Sequence, residues 1–331
     1  MKSYTFVDYA TQAYLGLVAL LIFFFHGTTV AHWPWLVGAH LGIAALIQLL
    51  IWSSVRRPLA RGLAFLRYFY PVLLYAGFFA ETGWLNQMFI QGYLDPTILR
   101  WDQALCGCQP SLVFMQKLPY LLVSETFYGA YFSYYVMIGG VGIALYLRNR
   151  AAFYHFVSVV SFVFYICYLI YIFVPVIGPP VFFRKIYGYS LPPDLQRLVP
   201  AEGYPPAVTS GIFYQIMKWI YAVFEAPGAA IPSSHVAVAL CTVFFSFRYL
   251  RSIRWFHLIL AVLLCAATIY CRYHYVCDVV AGIAAAATLI PTGNWLFRKF
   301  ASPEFQGGPA NPCTKGRPRT ISGTVGTSNR S

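Results

Sequence analysis

The stretch IPSSHVAVALCTVFF, residues 231–245, reads as the start of a membrane-spanning helix, yet it opens with a proline, two serines and His235. A second stretch, YCRYHYVCDVVAG at 270–282, places an arginine, His274 and Asp278 at the start of another apolar run. Ionisable groups in apolar helices are costly in a membrane and mark candidate functional sites. Their position relative to the bilayer decides what chemistry is open to them.

The composition is that of an integral membrane protein. Of the 331 residues, 59% are hydrophobic and only 10% are charged, whereas a soluble domain carries about 25% charged residues. The mean hydropathy is +0.63. Repeated long apolar runs indicate one polytopic bundle rather than several soluble domains.

The net charge of +13 does not indicate a nucleic-acid partner, because the basic residues form neither one patch nor an arginine-rich helix. The eight cysteines mostly lie inside apolar runs, where a free cysteine behaves as a small hydrophobic residue. Cys106 and Cys108 are too close for an ordinary disulfide, and no pair has zinc-ligand spacing. The sequence therefore predicts no metal, no cofactor and no particular redox compartment.

The apolar runs predict an all-α fold, a polytopic bundle of about eight transmembrane helices, since a spanning helix needs about 20 apolar residues. The predicted spans are 9–27, 34–52, 68–90, 119–147, 152–177, 232–250, 255–273 and 276–296. A shorter apolar piece at 211–224 is predicted to be interfacial or re-entrant. The first span lacks a small-residue cleavage site, so we expect it to be retained rather than removed as a signal peptide.

The basic residues are distributed unequally between the two sides of the predicted bundle. Sixteen of the 23 Lys and Arg residues lie in one set of connections, which includes both termini, and seven lie in the other. The positive-inside rule makes the richer side cytoplasmic. Both termini are therefore predicted inside, and the polar groups of 231–245 and 270–282 on the periplasmic or lumenal face. The tail 301–331, rich in Gly, Pro, Ser and Thr, is predicted to be a disordered basic cytoplasmic segment.

His274 and Asp278 are four residues apart, so they share one face of a helix. An aspartate at this spacing accepts the imidazole Nδ1–H, which fixes the tautomer and leaves Nε2 free as a nucleophile or base. The competing interpretation is a structural His–Asp pair that holds two helix ends together. The spacing alone does not decide between them.

Ser233, Ser234 and His235 lie at the predicted start of a helix, where free N–H groups and the positive end of the dipole favour an anion. Ordinary serine capping beside an interfacial histidine explains most such triplets. Arg184 and Lys185 follow a helix-ending GPP, and paired cations beside a membrane are often solvated anchors. With the arginine of 270–282, however, the outer face gathers two histidines, an aspartate, three cations and a helix N-terminus. This set favours a phosphate-handling site.

The motifs resemble those of the type 2 phosphatidic acid phosphatase superfamily, which carries a Lys/Arg block, a Pro-Ser-Gly-His block and a block that ends His-x-x-x-Asp. PSSH at 232–235 resembles the second block with Ser234 in the glycine position, and HYVCD at 274–278 resembles the end of the third. The six-helix core of that family would correspond to 68–296. Residues 1–67 would then form two additional N-terminal helices with a basic cytoplasmic loop.

The chain departs from the family pattern in two blocks. It has no Lys-x6-Arg-Pro, so Arg184 and Lys185 only approximate the first block. The arginine expected six residues before the nucleophilic histidine is Thr268, and Arg272 lies two before it instead. This form of the third block looks more like that of inositol phosphorylceramide synthases and sphingomyelin synthases.

The resemblance implies a metal-independent lipid phosphatase or phosphotransferase that acts through a phosphohistidine on a membrane phospholipid or sphingolipid. It implies that His274 is the nucleophile, that Asp278 orients it and that His235 is the general acid and base. The implied phosphate contacts are Arg184, Lys185, Ser233, Ser234 and Arg272. Water as acceptor gives a phosphatase, and an alcohol or sphingoid acceptor gives a transferase. The sequence leaves these two outcomes and the oligomeric state open.

A transporter is the alternative from a different functional class. Glu81 and Glu125 lie in the outer halves of predicted spans, as proton-relay carboxylates do. A hydrogen-bonded structural role explains them as well, and no inverted repeat of interrupted helices is recognised. The enzyme interpretation is therefore favoured. The long predicted outer stretches 91–118 and 178–231 carry aromatic residues that indicate either a cover over this site or, equally well, an interfacial aromatic belt.

Overall fold

The computed structural model describes residues 4–56, 58–182, 204–224 and 227–300, and within these ranges the chain forms helices and no strand. The predicted all-α class is confirmed. In chain order the helices are α1 (Phe6–Phe25), α2 (Trp33–Arg56), α3 (Arg61–Leu85), α4 (Asp95–Cys106), α5 (Pro110–Lys117), α6 (Leu121–Arg148), α7 (Arg150–Phe173), α8 (Pro179–Phe182), α9 (Pro206–Thr209), α10 (Ile212–Phe224), α11 (Ser234–Tyr249), α12 (Arg254–Tyr270) and α13 (Val276–Phe300).

In the described ranges, six helices are long and apolar enough to cross a membrane, namely α1, α2, α3, α6, α7 and α13. The two remaining predicted spans, 232–250 and 255–273, correspond to the shorter apolar helices α11 and α12, of 16 and 17 residues. α12 is shorter than predicted because residues 271–275, which include His274, form a turn before α13. The chain is a polytopic helical bundle.

Helix α7 lies at the centre of this bundle. It packs against α1, α3, α6, α11 and α13, and it is buried along most of its length. An apolar surface all around a helix suits either a buried position or contact with lipid, and in α7 it is packed against neighbouring helices. α11 packs in turn on α6, α7, α12 and α13, so the helices that begin at the two motifs share one core.

Helix α3 begins at Arg61, whereas the predicted span began at 68. The sequence assigned the preceding basic segment to a loop, but the Arg67 side chain is buried, and its guanidinium donates hydrogen bonds of 2.7 and 2.5 Å to Asp8 of α1. The Tyr70 hydroxyl donates another to the same carboxylate, at 2.7 Å. Since a buried charge needs a partner, this cluster ties α1 to α3. The predicted boundary between the N-terminal helices and the core falls inside α3.

The stretch 91–118, which was predicted to lie on the outer side without a helix, contains α4 and α5. α4 ends at Gly107, whose left-handed conformation (φ 68°) lets the chain turn away. The apolar piece at 211–224 forms α10, which packs on α6. Its predicted interfacial or re-entrant position stays a prediction.

The two carboxylates that suggested a transporter both have partners in the bundle. Glu125 of α6 accepts hydrogen bonds from the amides of Ile212 and Phe213 at 3.0 Å, so it caps the start of α10. Glu81 of α3 lies 3.3 Å from Nε2 of His40 in α2. These contacts favour the structural interpretation of both residues.

Arg184, Lys185 and the tail 301–331 lie outside the described residues. The sidedness of the bundle stays a prediction that rests on the distribution of basic residues.

Two exposed serines offer a direct test of that sidedness. Ser210 precedes α10 on the predicted outer side, and Ser252 lies between α11 and α12 on the predicted cytoplasmic side. In a cysteine-depleted background, we expect a membrane-impermeant maleimide to label Ser210→Cys in intact cells and Ser252→Cys only after permeabilisation. The reverse pattern would overturn the predicted orientation.

Candidate active site

The two sequence motifs meet where α11 and α13 begin. The Ser233 amide donates to the backbone carbonyl of Asp278 at 3.0 Å. Gly282, one turn further along α13, lies so close to α11 that a Cβ would come within 2.7 Å of the Ser233 carbonyl oxygen. This approach places His235 next to His274, 39 residues away in the sequence.

His274 has the predicted aspartate contact. Its Nδ1 lies 3.3 Å from Oδ2 of Asp278, and the same oxygen accepts the Tyr275 amide at 2.9 Å. Asp278 is fully buried, and its Oδ1 has no hydrogen-bond partner in the described part of the chain. An Nδ1–H held by the carboxylate leaves the lone pair on Nε2 of His274 available.

The free side of His274 faces the second histidine. Nε2 of His274 lies 3.5 Å from Nδ1 of His235, and the ring centroids are 5.6 Å apart. Burial lowers the pKa of His274 to about 4, against the opposing effect of a hydrogen bond to the Ala230 backbone. The ring is therefore neutral near pH 7, which is the form that acts as a nucleophile.

A group of tyrosines surrounds His235, and the sequence did not single them out. The rings of Tyr131 and Tyr134, both from α6, lie 5.1 and 4.7 Å from the His235 ring. The Tyr131 hydroxyl is 2.6 Å from that of Tyr221 in α10, whose ring stacks on Tyr273 at 4.0 Å. α10 thus covers the histidines from one side. Nothing in the spacing of these residues distinguishes them from the rest of the 26 tyrosines.

The serines predicted to contact phosphate are already engaged within the protein. Ser233 caps α11 by accepting the Val236 amide on its hydroxyl at 3.4 Å, while its own amide is bound to the Asp278 carbonyl. The Ser234 amide donates to the Tyr171 hydroxyl at 3.2 Å. Ser234 lines the same cavity as the two histidines.

Arg272 is a buried cation in a strained backbone conformation. Its φ is 61°, in the left-handed region that residues other than glycine rarely adopt. Its guanidinium carbon lies 4.9 Å from the Tyr204 ring centroid, and its Nε and Nη2 have no hydrogen-bond partner among the described residues. Thr268, at the position where the family pattern has arginine, is buried, and its carbonyl accepts the amides of Tyr273 and His274. In this chain that position therefore holds the turn together.

A cavity of about 450 Å³ runs from the two histidines into the bundle. Its walls come mainly from α3, α6 and α7, and they are largely apolar and aromatic. Positions 72, 75, 76 and 79 of α3 contribute one helical face to it. α6 contributes Ile138 and Gly139, α7 contributes Phe164 and Tyr168, and α10 contributes Ile220 and Tyr221.

Within the described ranges, no three His, Cys, Asp or Glu side chains are grouped so as to hold a metal ion. Arg184 and Lys185, which were predicted to contact phosphate, lie outside these ranges.

A family model described as the PAP2 superfamily matches residues 96–292, more than half of the chain. The protein belongs to the PAP2 superfamily, whose members are generally phosphatases and phosphotransferases. The matched region contains both motifs and α6 to α12, whereas α1, α2 and α3 precede it. Comparisons with curated proteins and with solved structures gave no match.

Proposed function

We propose that the protein is a membrane lipid phosphatase or phosphotransferase that acts on a lipid phosphate ester at the outer face through a phosphohistidine. The observation that carries this proposal is the arrangement of His274, with Asp278 on Nδ1 and His235 facing Nε2 at the head of an apolar cavity. Membership of the PAP2 superfamily supports phosphoryl chemistry of this type. The lipid substrate, the phosphohistidine intermediate and the location of the site at the outer face are all parts of this proposal.

In the first step, Nε2 of His274 forms a bond to phosphorus while the bond from phosphorus to the lipid oxygen breaks. His235 enters this step protonated, gives that proton to the leaving oxygen and becomes neutral, while Asp278 stabilises the positive charge that develops on His274. In-line attack puts the phosphorus between the nucleophile and the leaving oxygen. Since the two ring nitrogens are now 3.5 Å apart, one ring turns outward when the phosphate group binds.

In the second step, a water or an alcohol transfers its proton to His235 as its oxygen attacks phosphorus. The phosphorus–nitrogen bond breaks, and both histidines return to their starting states. We propose that Arg272, whose Nε–H and Nη2–H groups have no partner in the part of the chain that the structure describes, offsets the charge on the phosphate oxygens. Arg184 and Lys185 are proposed for the same role, and Ser234 for a contact at the cavity wall. Ser233 is proposed to act only through its capping of α11.

The apolar cavity favours a substrate with a hydrocarbon chain. Its volume of about 450 Å³ falls within the roughly 300–1,000 Å³ usual for small-molecule sites. It continues from the histidines along α3, α6 and α7, which are spanning helices, so a chain bound in it lies at membrane depth. Only the phosphate then needs to reach the polar end of the cavity. This is the geometry that a membrane phospholipid or sphingolipid requires.

A transferase of the inositol phosphorylceramide synthase type is the second candidate. The observation that favours it is the aromatic cover formed by Tyr131, Tyr221 and Tyr273 over the histidines. A transferase must exclude water while an acceptor approaches the phosphorylated histidine. The form of the third block, RYHYVCDVVAG, points in the same direction. Phosphatase is named first because water is always present as an acceptor.

The first test of the proposal is to remove the reacting groups. We expect His274→Ala and His235→Ala each to lower kcat at least about a hundredfold, since nucleophiles and acid–base groups contribute that much or more. Asp278→Asn should be severely impaired but folded. His32→Ala, which changes an exposed histidine between α1 and α2, is the matched control and should keep wild-type turnover. Wild-type turnover in His274→Ala would show that the phosphohistidine proposal is wrong.

A second test concerns the binding of the lipid's hydrocarbon chain, and the protein offers a matched pair of glycines for it. Gly139 lines the cavity and its neighbour Gly140 does not, while a Cβ at either position meets no atom within 4 Å. We expect Gly139→Leu to raise KM for a long-chain phosphate ester about tenfold, because the added side chain occupies the space of the lipid. Turnover of a short, soluble phosphate ester should be unchanged. Equal KM values for Gly139→Leu and Gly140→Leu would contradict the assignment of the cavity.

The products separate the two candidate reactions. The purified protein is incubated with a phosphorus-labelled phospholipid, with and without candidate alcohols and sphingoid lipids, and water-soluble and lipid products are measured separately. A phosphatase releases label as free phosphate or head-group phosphate in the absence of any acceptor. If label appears only in a new lipid, and only when an acceptor is present, the transferase assignment stands and the phosphatase assignment fails.

A further inference from the structure

Helix α4 carries two buried aspartates that reach the segments on either side of His274. Asp95 and Asp102 are seven residues apart, so they lie on the same face of α4, and neither side chain is exposed. The sequence analysis did not indicate this role, since two acids in a predicted outer loop are ordinarily solvated. The carboxylates bind backbone amides that belong to the site.

Asp102 holds the start of α13. Its Oδ2 accepts the Val276 amide and its Oδ1 accepts the Cys277 amide, both at 2.9 Å. These are among the N–H groups that a helix N-terminus leaves without an internal partner. The preceding amide, of Tyr275, is bound by Asp278. Two carboxylates therefore fix three consecutive amides directly after His274.

Asp95 holds the loop that follows α7. It accepts the amides of Ile177 and Gly178 at 2.9 Å, and the Tyr275 hydroxyl at the same distance. Gly178 has a φ of 88°, and a Cβ there would lie 3.1 Å from the Tyr273 carbonyl oxygen. The loop thus packs directly on the turn that carries His274. It also reaches the other motif, because the Val176 carbonyl accepts the Ala230 amide, close before PSSH.

We infer that α4 is a clamp whose two carboxylates position His274 for the reaction, with Asp102 and Asp95 as positioning residues that do not touch the substrate. Each aspartate anchors a backbone segment that adjoins the histidine, and neither is among the residues that line the cavity. A displacement of about 1 Å of a reacting group costs on the order of a hundredfold in rate. The clamp therefore acts on turnover rather than on binding of the lipid chain.

This inference rests on the proposed function for its kinetic part. Asp102→Asn keeps one acceptor oxygen for two amides, and Asp102→Ala keeps none. We expect kcat to fall about tenfold in the first and about a hundredfold in the second, with KM for the lipid within about twofold of wild type. Asp95→Asn should behave like Asp102→Asn. Gln103→Ala is the control, because Gln103 lies beside Asp102 but bonds to Gly107 at the far end of α4.

A second measurement does not need activity. Hydrogen–deuterium exchange of the detergent-solubilised protein should show faster exchange in the peptide covering 271–280 of Asp102→Asn and Asp102→Ala, with other helices unchanged. If exchange rises in every helix of Asp102→Ala, that variant is unfolded. The milder Asp102→Asn is then the variant that tests the inference. Wild-type kcat in a folded Asp102→Asn, or unchanged exchange at 271–280, would overturn the inference. A wild-type protein that neither hydrolyses nor transfers any lipid phosphate refutes the proposed function instead, and exchange still tests the clamp.

Discussion

The close approach of the starts of α11 and α13 is the contact on which the site depends. Gly282 permits it, since any side chain there would meet the Ser233 carbonyl, and the hydrogen bond from Ser233 to the Asp278 carbonyl fixes its register. Each helix brings one histidine to this point. Two helix N-termini also converge there, and their positive dipole ends point to the same region. The Val276 and Cys277 amides of α13 are bound by Asp102, and the Ser234 and Val236 amides of α11 by Tyr171 and Ser233. The dipoles, rather than free amides, therefore favour an anion there.

The acidic residues show how a bundle with so few charges uses them. In the described part of the chain they are Asp8, Glu81, Asp95, Asp102, Glu125 and Asp278. Each contacts a cationic, imidazole or backbone N–H group, and five of these contacts join two different elements of the fold. A carboxylate in an apolar bundle is costly unless it is paired or hydrogen-bonded. The acids are therefore placed where the position of one helix or loop relative to another has to be fixed, and three of them surround the turn that carries His274.

The sequence predicted the fold class and the local chemistry because these depend on short-range patterns. Runs of apolar residues identify helices, and the spacing of His274 and Asp278 predicts their contact. The pairing of His235 with His274 is a long-range contact. The predicted topology placed both histidines on one face, and the resemblance of PSSH and HYVCD to known motifs brought them into one site. Arg67 was assigned to a loop because an arginine before a span is usually solvated, whereas tertiary pairing with Asp8 extends α3 through it.

Asp95 and Asp102 show the same limit of sequence analysis, here for residues whose role the sequence did not indicate. Their function depends on which backbone amides lie within 3 Å, and those amides belong to residues more than 80 positions away along the chain. No periodicity of the sequence around α4 contains that information. Arg272 lies between these cases, since its place two residues before His274 marked it as a candidate, while its left-handed backbone and unpaired guanidinium nitrogens appear only in the fold.

The arrangement of polar and apolar surface around the histidines also bears on the choice of acceptor. The cavity is largely apolar along α3, α6 and α7, and Tyr221 and Tyr273, which stack at 4.0 Å, line it beside the histidines. Under the proposed function, apolar walls of this kind favour an acceptor that has its own hydrocarbon chain. Tyr221 belongs to α10, which is held beside the cavity by the capping contact of Glu125 and by the hydrogen bond between the Tyr131 and Tyr221 hydroxyls.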